Sequence, residues 1–162
     1  MNQLWAPWRI EYIQGEKDGS CIFCTASEKE IKDSLLLFKG SFSVVMLNKY
    51  PYNNGHIMIA PVRHVARTED VTTEEGSDIF RMISRSTTVL TALFKPDGFN
   101  IGMNVGKAAG AGIDDHLHMH VVPRWNGDVN FMPALADVKV MPEHLSATFE
   151  KLKPFFERFT GS

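Results

Sequence analysis

The chain predicts an α+β domain built on an antiparallel sheet, and three features carry that prediction. Short apolar, β-favouring runs come in pairs with only turn formers between them, as antiparallel strands do. One long segment repeats its apolar residues at helical spacing behind a capping-box pattern. A second amphipathic stretch closes the chain.

The elements follow in order. Residues 1–20 read as an irregular N-terminal extension with Trp5, Trp8 and Tyr12 as aromatic anchors. The runs 35–38 and 42–47, separated by Lys39-Gly40-Ser41, predict a hairpin. Residues 48–55 are dense in turn formers, and 56–60 resume as a strand. Thr72 and Glu75 form the capping-box pair. Behind them Ile79, Phe80, Ile83, Val89, Leu90, Leu93 and Phe94 place a helix over 73–95. Residues 99–105 predict a strand that ends in a loop rich in Gly and Ala, 106–112. Residues 140–159 predict a terminal helix opened near Pro142 and interrupted near Pro154, within a C-terminal extension over 132–162. No repeat or low-complexity tract divides the chain, so 1–162 is expected to be one domain.

A net charge of −2 argues against a nucleic-acid partner, which favours a basic face. No stretch has the length of a membrane span or a secretory signal, so a cytoplasmic location without membrane attachment is expected. Disulfides are rare in that compartment, and Cys21 and Cys24 need another explanation.

The most informative stretch is 116–125, His-Leu-His-Met-His-Val-Val-Pro-Arg-Trp. Histidine alternates there with Leu117, Met119 and Val121, the pattern of a half-buried strand. On such a strand His116, His118 and His120 share one face, with successive imidazoles roughly 6.5–7 Å apart. The array suits metal binding, or a nucleophilic histidine flanked by others that orient it and handle protons. Cys21-Ile-Phe-Cys24 is half of a tetrahedral zinc site, whose other half must come from His56, His64, His116, His118, His120 or His144. A redox pair is the competing reading of the two thiols. The loop 106–112, with Gly106, Lys107, Gly110, Ala111 and Gly112, lacks bulk and can offer backbone N–H groups to a phosphate.

Taken together, the three alternating histidines, the His56 strand and the glycine loop resemble the histidine triad family of nucleotidyl hydrolases and transferases. The segments 4–9, 99–106 and 121–131 look like its bacterial diadenosine tetraphosphate phosphorylase branch. The resemblance implies a histidine triad fold, an enzyme, and a homodimer with a nucleotide pocket in each subunit. It implies that His118 is the nucleophile, that His120 handles the transferring phosphate, and that His56 supports them from behind. It places Asn48 at the ribose and Asn104 at the phosphate. It also completes the metal set as Cys21, Cys24, His64 and His116, a structural zinc site, with no organic cofactor. Arg124 could hold phosphate or form a surface salt bridge, and Trp125 could stack on a base or join a dimer core.

The expected substrate is a dinucleoside polyphosphate, cleaved at the α-phosphate through a nucleotidyl-histidine. The phosphorylase branch usually carries hydroxyls where this chain has Ala109 and Gly112, and the hydrolase branch tends to place a Gln shortly after the second loop glycine, which this chain lacks. The acceptor therefore stays open between water and phosphate. The alternatives are an adenosine phosphoramidate hydrolase, a zinc hydrolase using all three triad histidines, and a non-catalytic nucleotide-binding protein.

Overall fold

The computed structural model describes residues 21–26, 35–109, 116–128 and 141–159. Within them β1 (Leu36–Lys39), β2 (Ser43–Leu47), β3 (Ile57–Pro61), β4 (Gly98–Met103) and β5 (Met119–Arg124) form one sheet in the order β1-β2-β3-β5-β4. Every pairing is antiparallel, so the predicted α+β class holds. Among the described residues three α-helices accompany the sheet: α1 (Ile22–Thr25), α2 (Thr73–Phe94) and α3 (Leu145–Phe156).

Strand alternation builds a core on each face of the sheet. On one face Leu37, Val45, Leu47, Ile57, Ile59 and Val121 pack with Met82 and Leu90 of α2 and with Phe149, Leu152 and Phe156 of α3. On the other face Leu36, Val44, Met46, Met58 and Ala60 pack against Phe23 and Ala26. Strands β2 and β3 are buried along their whole length, which is why they read as continuous apolar runs rather than alternating ones. Burying one such Leu or Ile contributes about 1.5–3 kcal/mol.

Helix α2 starts where its capping box requires. The Glu75 N–H donates to Thr72 Oγ1 at 3.2 Å, and the Thr72 N–H donates to Glu75 Oε2 at 2.9 Å. Glu75 also accepts from Arg63 Nε and Nη2 at 3.0 and 2.8 Å, which ties the helix start to the segment after β3. The helix stops at Lys95, a left-handed cap with φ 48°. Phe80, part of the helical period that predicts α2, is 73% exposed and borders a cavity shared with Ile59, Met119 and His118.

The terminal helix also differs from its prediction. It opens after His144 rather than near Pro142, and Pro154 lies inside its last turn instead of interrupting it. Proline has no N–H to give the carbonyl four residues back, and the helix ends two residues later at Phe156. The N-terminal extension 1–20 and residues 110–115, which include Gly110, Ala111 and Gly112, lie outside the described residues. Among those described, no helix is long and apolar enough to cross a membrane.

Candidate functional site

The site grows from the centre of the sheet. Antiparallel register sets His120 opposite Met58 of β3 and Gly102 of β4. Cross-strand partners share a face, so His120 projects on the Met58 side, opposite α2. The predicted histidine strand is corrected here: β5 begins only at Met119, and His116 and His118 lie in its lead-in. That lead-in is held by the Leu117 N–H donating to Val65 O at 2.6 Å. The His118 and His120 ring centroids lie 4.8 Å apart, closer than the roughly 6.5–7 Å expected of a regular strand. Phe23 of α1 lies 5.1 Å from both His116 and His118, wedged beside the two.

The backbone assigns each ring its tautomer. A carbonyl can only accept, so His118 donates Nδ1–H to its neighbour's carbonyl, His116 O, at 2.8 Å. Its lone pair therefore sits on Nε2. His116 donates Nε2–H to Pro61 O at 2.9 Å, which leaves the lone pair on Nδ1. His56, fully buried at the head of β3, lies with Nε2 2.9 Å from His120 Nδ1. Burial lowers the pKa of His118, against the opposing pull of its hydrogen bond to His116, so the neutral ring is favoured. The His116 pKa is also lowered, chiefly by burial and further by His64 and His118.

The His116 lone pair faces two sulfurs. Cys21 Sγ lies 3.1 Å from His116 Nδ1, Cys24 Sγ lies 3.7 Å from it, and Cys24 Sγ lies 3.3 Å from His64 Nδ1. All four donor atoms fall within 4.8 Å of one another. Donors around a tetrahedral zinc, bonded at roughly 2.0–2.3 Å, sit roughly 3.3–3.8 Å apart. The set fits in both spacing and chemistry: two thiols and two imidazoles, with the second nitrogen of His116 tied to a carbonyl as metal-bound histidines usually are. Cys21 and Cys24 do open a helical turn, as redox pairs do, but here the turn puts both thiols on the side of His64 and His116.

Other predicted residues are placed as follows. Asn48 follows β2, with its N–H donating to His56 O at 2.9 Å and its Oδ1 accepting the Tyr50 N–H at 2.8 Å. Asn104 follows Met103, whose partner Met119 adjoins His118, so it lies at the histidine end of β4. Gly106 has φ +79°, a conformation that suits glycine, and Lys107–Ala109 forms a 3-10 turn. Trp125 lies past the far end of β5, and its indole N–H donates to Phe94 O at 3.2 Å. The structure does not bring it to the histidines. Arg124 forms a paired salt bridge with Asp128, at 2.6 and 2.8 Å, and also reaches Asn100 at 2.7 Å.

Sequence reasoning missed three neighbours of the site. The Tyr52 N–H donates to His56 Nδ1 at 3.0 Å, and the Tyr52 ring stacks on His56 with centroids 4.8 Å apart. Asn53 donates to Asp128 Oδ2 at 2.9 Å. The Arg124 guanidinium, foremost among its donors, holds the Asp128 carboxyl down to about 2. In the sequence these residues show only turn composition, which carries no signal of a partner some seventy positions away.

Comparison with known proteins identifies the family. A family model described as "HIT domain" matches residues 28–127. A protein of Mycobacterium tuberculosis named AP-4-A phosphorylase is 34% identical over 157 residues, covering 91% of this chain and 80% of that protein. One of Dictyostelium discoideum named bis(5'-adenosyl)-triphosphatase is 33% identical over 94 residues, covering 58% of this chain and 62% of that protein. Among solved structures, a zinc-bound histidine triad family protein from Mycobacterium smegmatis shares the fold with a TM-score of 0.65 at 24% identity, covering 86% of this chain and 94% of that one. The family model spans well over half of the sequence and encloses the three alternating histidines, and on that ground the chain belongs to the histidine triad (HIT) family.

Proposed function

We propose that the protein is a nucleotidyl hydrolase or transferase that cleaves dinucleoside polyphosphates of the diadenosine tetraphosphate type at the α-phosphate. One observation carries the reading: His118 spends its ring proton on its neighbour's carbonyl at 2.8 Å, so a neutral, buried imidazole presents Nε2 as a nucleophile. Nε2 attacks the α-phosphorus while the bond to the bridging oxygen breaks, and the remaining polyphosphate leaves with the electron pair. An acceptor, water or inorganic phosphate, then attacks the same phosphorus and the N–P bond breaks, which restores the imidazole. Charge spread over the phosphoryl oxygens calls for preorganised donors. His120, Asn104 and the backbone of the loop 106–112 are the groups we assign to that task, with Asn48 at the ribose and His56 behind His120. The names borne by the two relatives support this substrate class. Ala109 and Gly112, where hydroxyls would favour a phosphate acceptor, keep water in play.

Cys21, Cys24, His64 and His116 would hold a structural zinc, supplied with four protein ligands and no open position for chemistry. Two thiols kept as ligands suit a reducing compartment such as the cytoplasm. A homodimer along β4 is supported by that strand's place at the sheet edge, where Ile101, Met103 and nearby Val105 are 45%, 40% and 49% exposed. The shared core of α2, α3 and the sheet supports reading 1–162 as one domain.

Product analysis on diadenosine tetraphosphate, with and without inorganic phosphate, tests the proposal. ADP plus ATP only in the presence of phosphate identifies a phosphorylase, and AMP plus ATP in either condition a hydrolase. No turnover of any dinucleoside polyphosphate overturns the reading and turns attention to adenosine phosphoramidates.

A further inference from the structure

We infer that the backbone amide of Tyr52 sets the direction of the hydrogen-bond chain ending on His120, and so makes His120 a donor at Nε2. The inference rests on the proposed reading only in the use it gives that donor, a bond to the transferring phosphate.

The logic is proton counting. A backbone N–H can only donate, so His56 Nδ1, 3.0 Å from the Tyr52 nitrogen, must carry a lone pair. A neutral imidazole bare at Nδ1 is protonated at Nε2. That Nε2–H points at His120 Nδ1, 2.9 Å away, which must then accept. His120 therefore keeps its proton on Nε2, the ring nitrogen turned away from His56. The opposite direction would require His56 to accept at both nitrogens, as an imidazolate. His56 is fully buried, so water cannot make up a lost partner there.

The device is rigidly mounted. The Tyr52 ring lies nearly parallel to His56, at 29° between planes, which limits tilting of the imidazole. The turn that carries the amide is tied to the far end of β5 by Asn53–Asp128 at 2.9 Å. It is tied to α3 by Thr148 donating to Asn54 Oδ1 at 3.0 Å. Tyr52 is thus a positioning residue that acts through its main chain. Its side chain is incidental to the polarity.

The histidine tautomers of the full-length, zinc-loaded protein can be read from two-bond 1H–15N spectra at about pH 8, above the ordinary histidine pKa. The expected pattern is Nε2–H for His56 and His120 with Nδ1–H for His118. Replacing Tyr52 by its α-hydroxy acid analogue turns the amide into an ester and deletes the donor. The His120 signals should then move to the Nδ1–H or an averaged pattern, and kcat should fall on the order of 100-fold with KM little changed. Tyr52→Ala, which keeps the amide, should retain the Nε2–H pattern. An Nδ1–H His120 in the unmodified protein overturns the inference, as does an ester variant whose His120 tautomer is unchanged. The unmodified spectrum decides alone where the ester variant does not fold. Failure of the proposed function shows separately, as absent turnover by unmodified protein whatever its tautomers.

Discussion

His116 and His118 are two residues apart, yet they belong to two different machines. His116 turns its Nδ1 lone pair to a pair of sulfurs and an exposed imidazole. His118 presents Nε2 beside His120, whose Nδ1 lies against His56 Nε2. The first group converges on a point, the geometry of a tetrahedral ion. The second forms a line, from Tyr52 through His56 to His120, the geometry of a relay. Residue type is the same in both. What separates them is which ring nitrogen the backbone occupies: Nε2 in His116, bound by Pro61, and Nδ1 in His118, bound by the carbonyl of His116. A histidine's role here is decided by the partner of its other nitrogen.

The comparison is broken most severely at His118. His118→Ala should lower kcat by about 10⁴-fold or more while the near-UV circular dichroism stays native. Retention of more than a few per cent of activity removes the nucleophile. On the metal side the balance reverses. Cys21→Ser should lose bound zinc, measured by elemental analysis, and lower Tm on the order of 5–10 °C, with a far smaller effect on kcat. A variant that keeps its metal and its Tm would refute the four-ligand site.

The relay side sharpens the contrast further. Asp128→Asn removes the charge that Arg124 and Asn53 hold, and should cost about 2 kcal/mol in urea unfolding at neutral pH. Its carboxyl falls from 3.8 to about 2 on folding, chiefly through the Arg124 hydrogen bond. A depressed carboxyl stabilises the fold fully above the unfolded value, and that stability is lost as pH drops through the folded value. The gap between native and variant proteins should therefore close between about pH 4 and pH 2, and a gap constant across that window contradicts the assignment. The smallest effect is expected at Gly55, whose φ is +71° and whose added Cβ would meet Leu90 Cδ2 at 3.1 Å. Gly55→Ala should cost about 1–2 kcal/mol, with a lower kcat if the turn sets the His56 position. Unchanged stability would mean that the turn relaxes freely.

How much of this was legible in the sequence differs from element to element. The capping box at Thr72 and Glu75 and the paired apolar runs announced α2 and the sheet, because both signals are local. Strand ends slipped by a residue or two, as at β3, which starts at Ile57 rather than at His56, while the terminal helix begins five residues later than predicted and β5 three. Phe80 fitted the helical period and is still 73% exposed, since a period describes a stripe and not its edges. The metal set was completed only by family resemblance; spacing alone left six histidines open for two places.

By itself the sequence determined the α+β class, the alternating histidines and the thiol pair. Each is written in residues close enough along the chain to obey a helical or strand period. Only the tertiary structure decided that Phe23 would stand beside both His116 and His118, that Tyr52 would direct His56, and that Asp128 would anchor Asn53. Those partners meet across as many as 95 positions through sheet register and helix packing. Proton direction depends on such meetings, because a ring nitrogen takes its role from whatever donor or acceptor the fold sets against it.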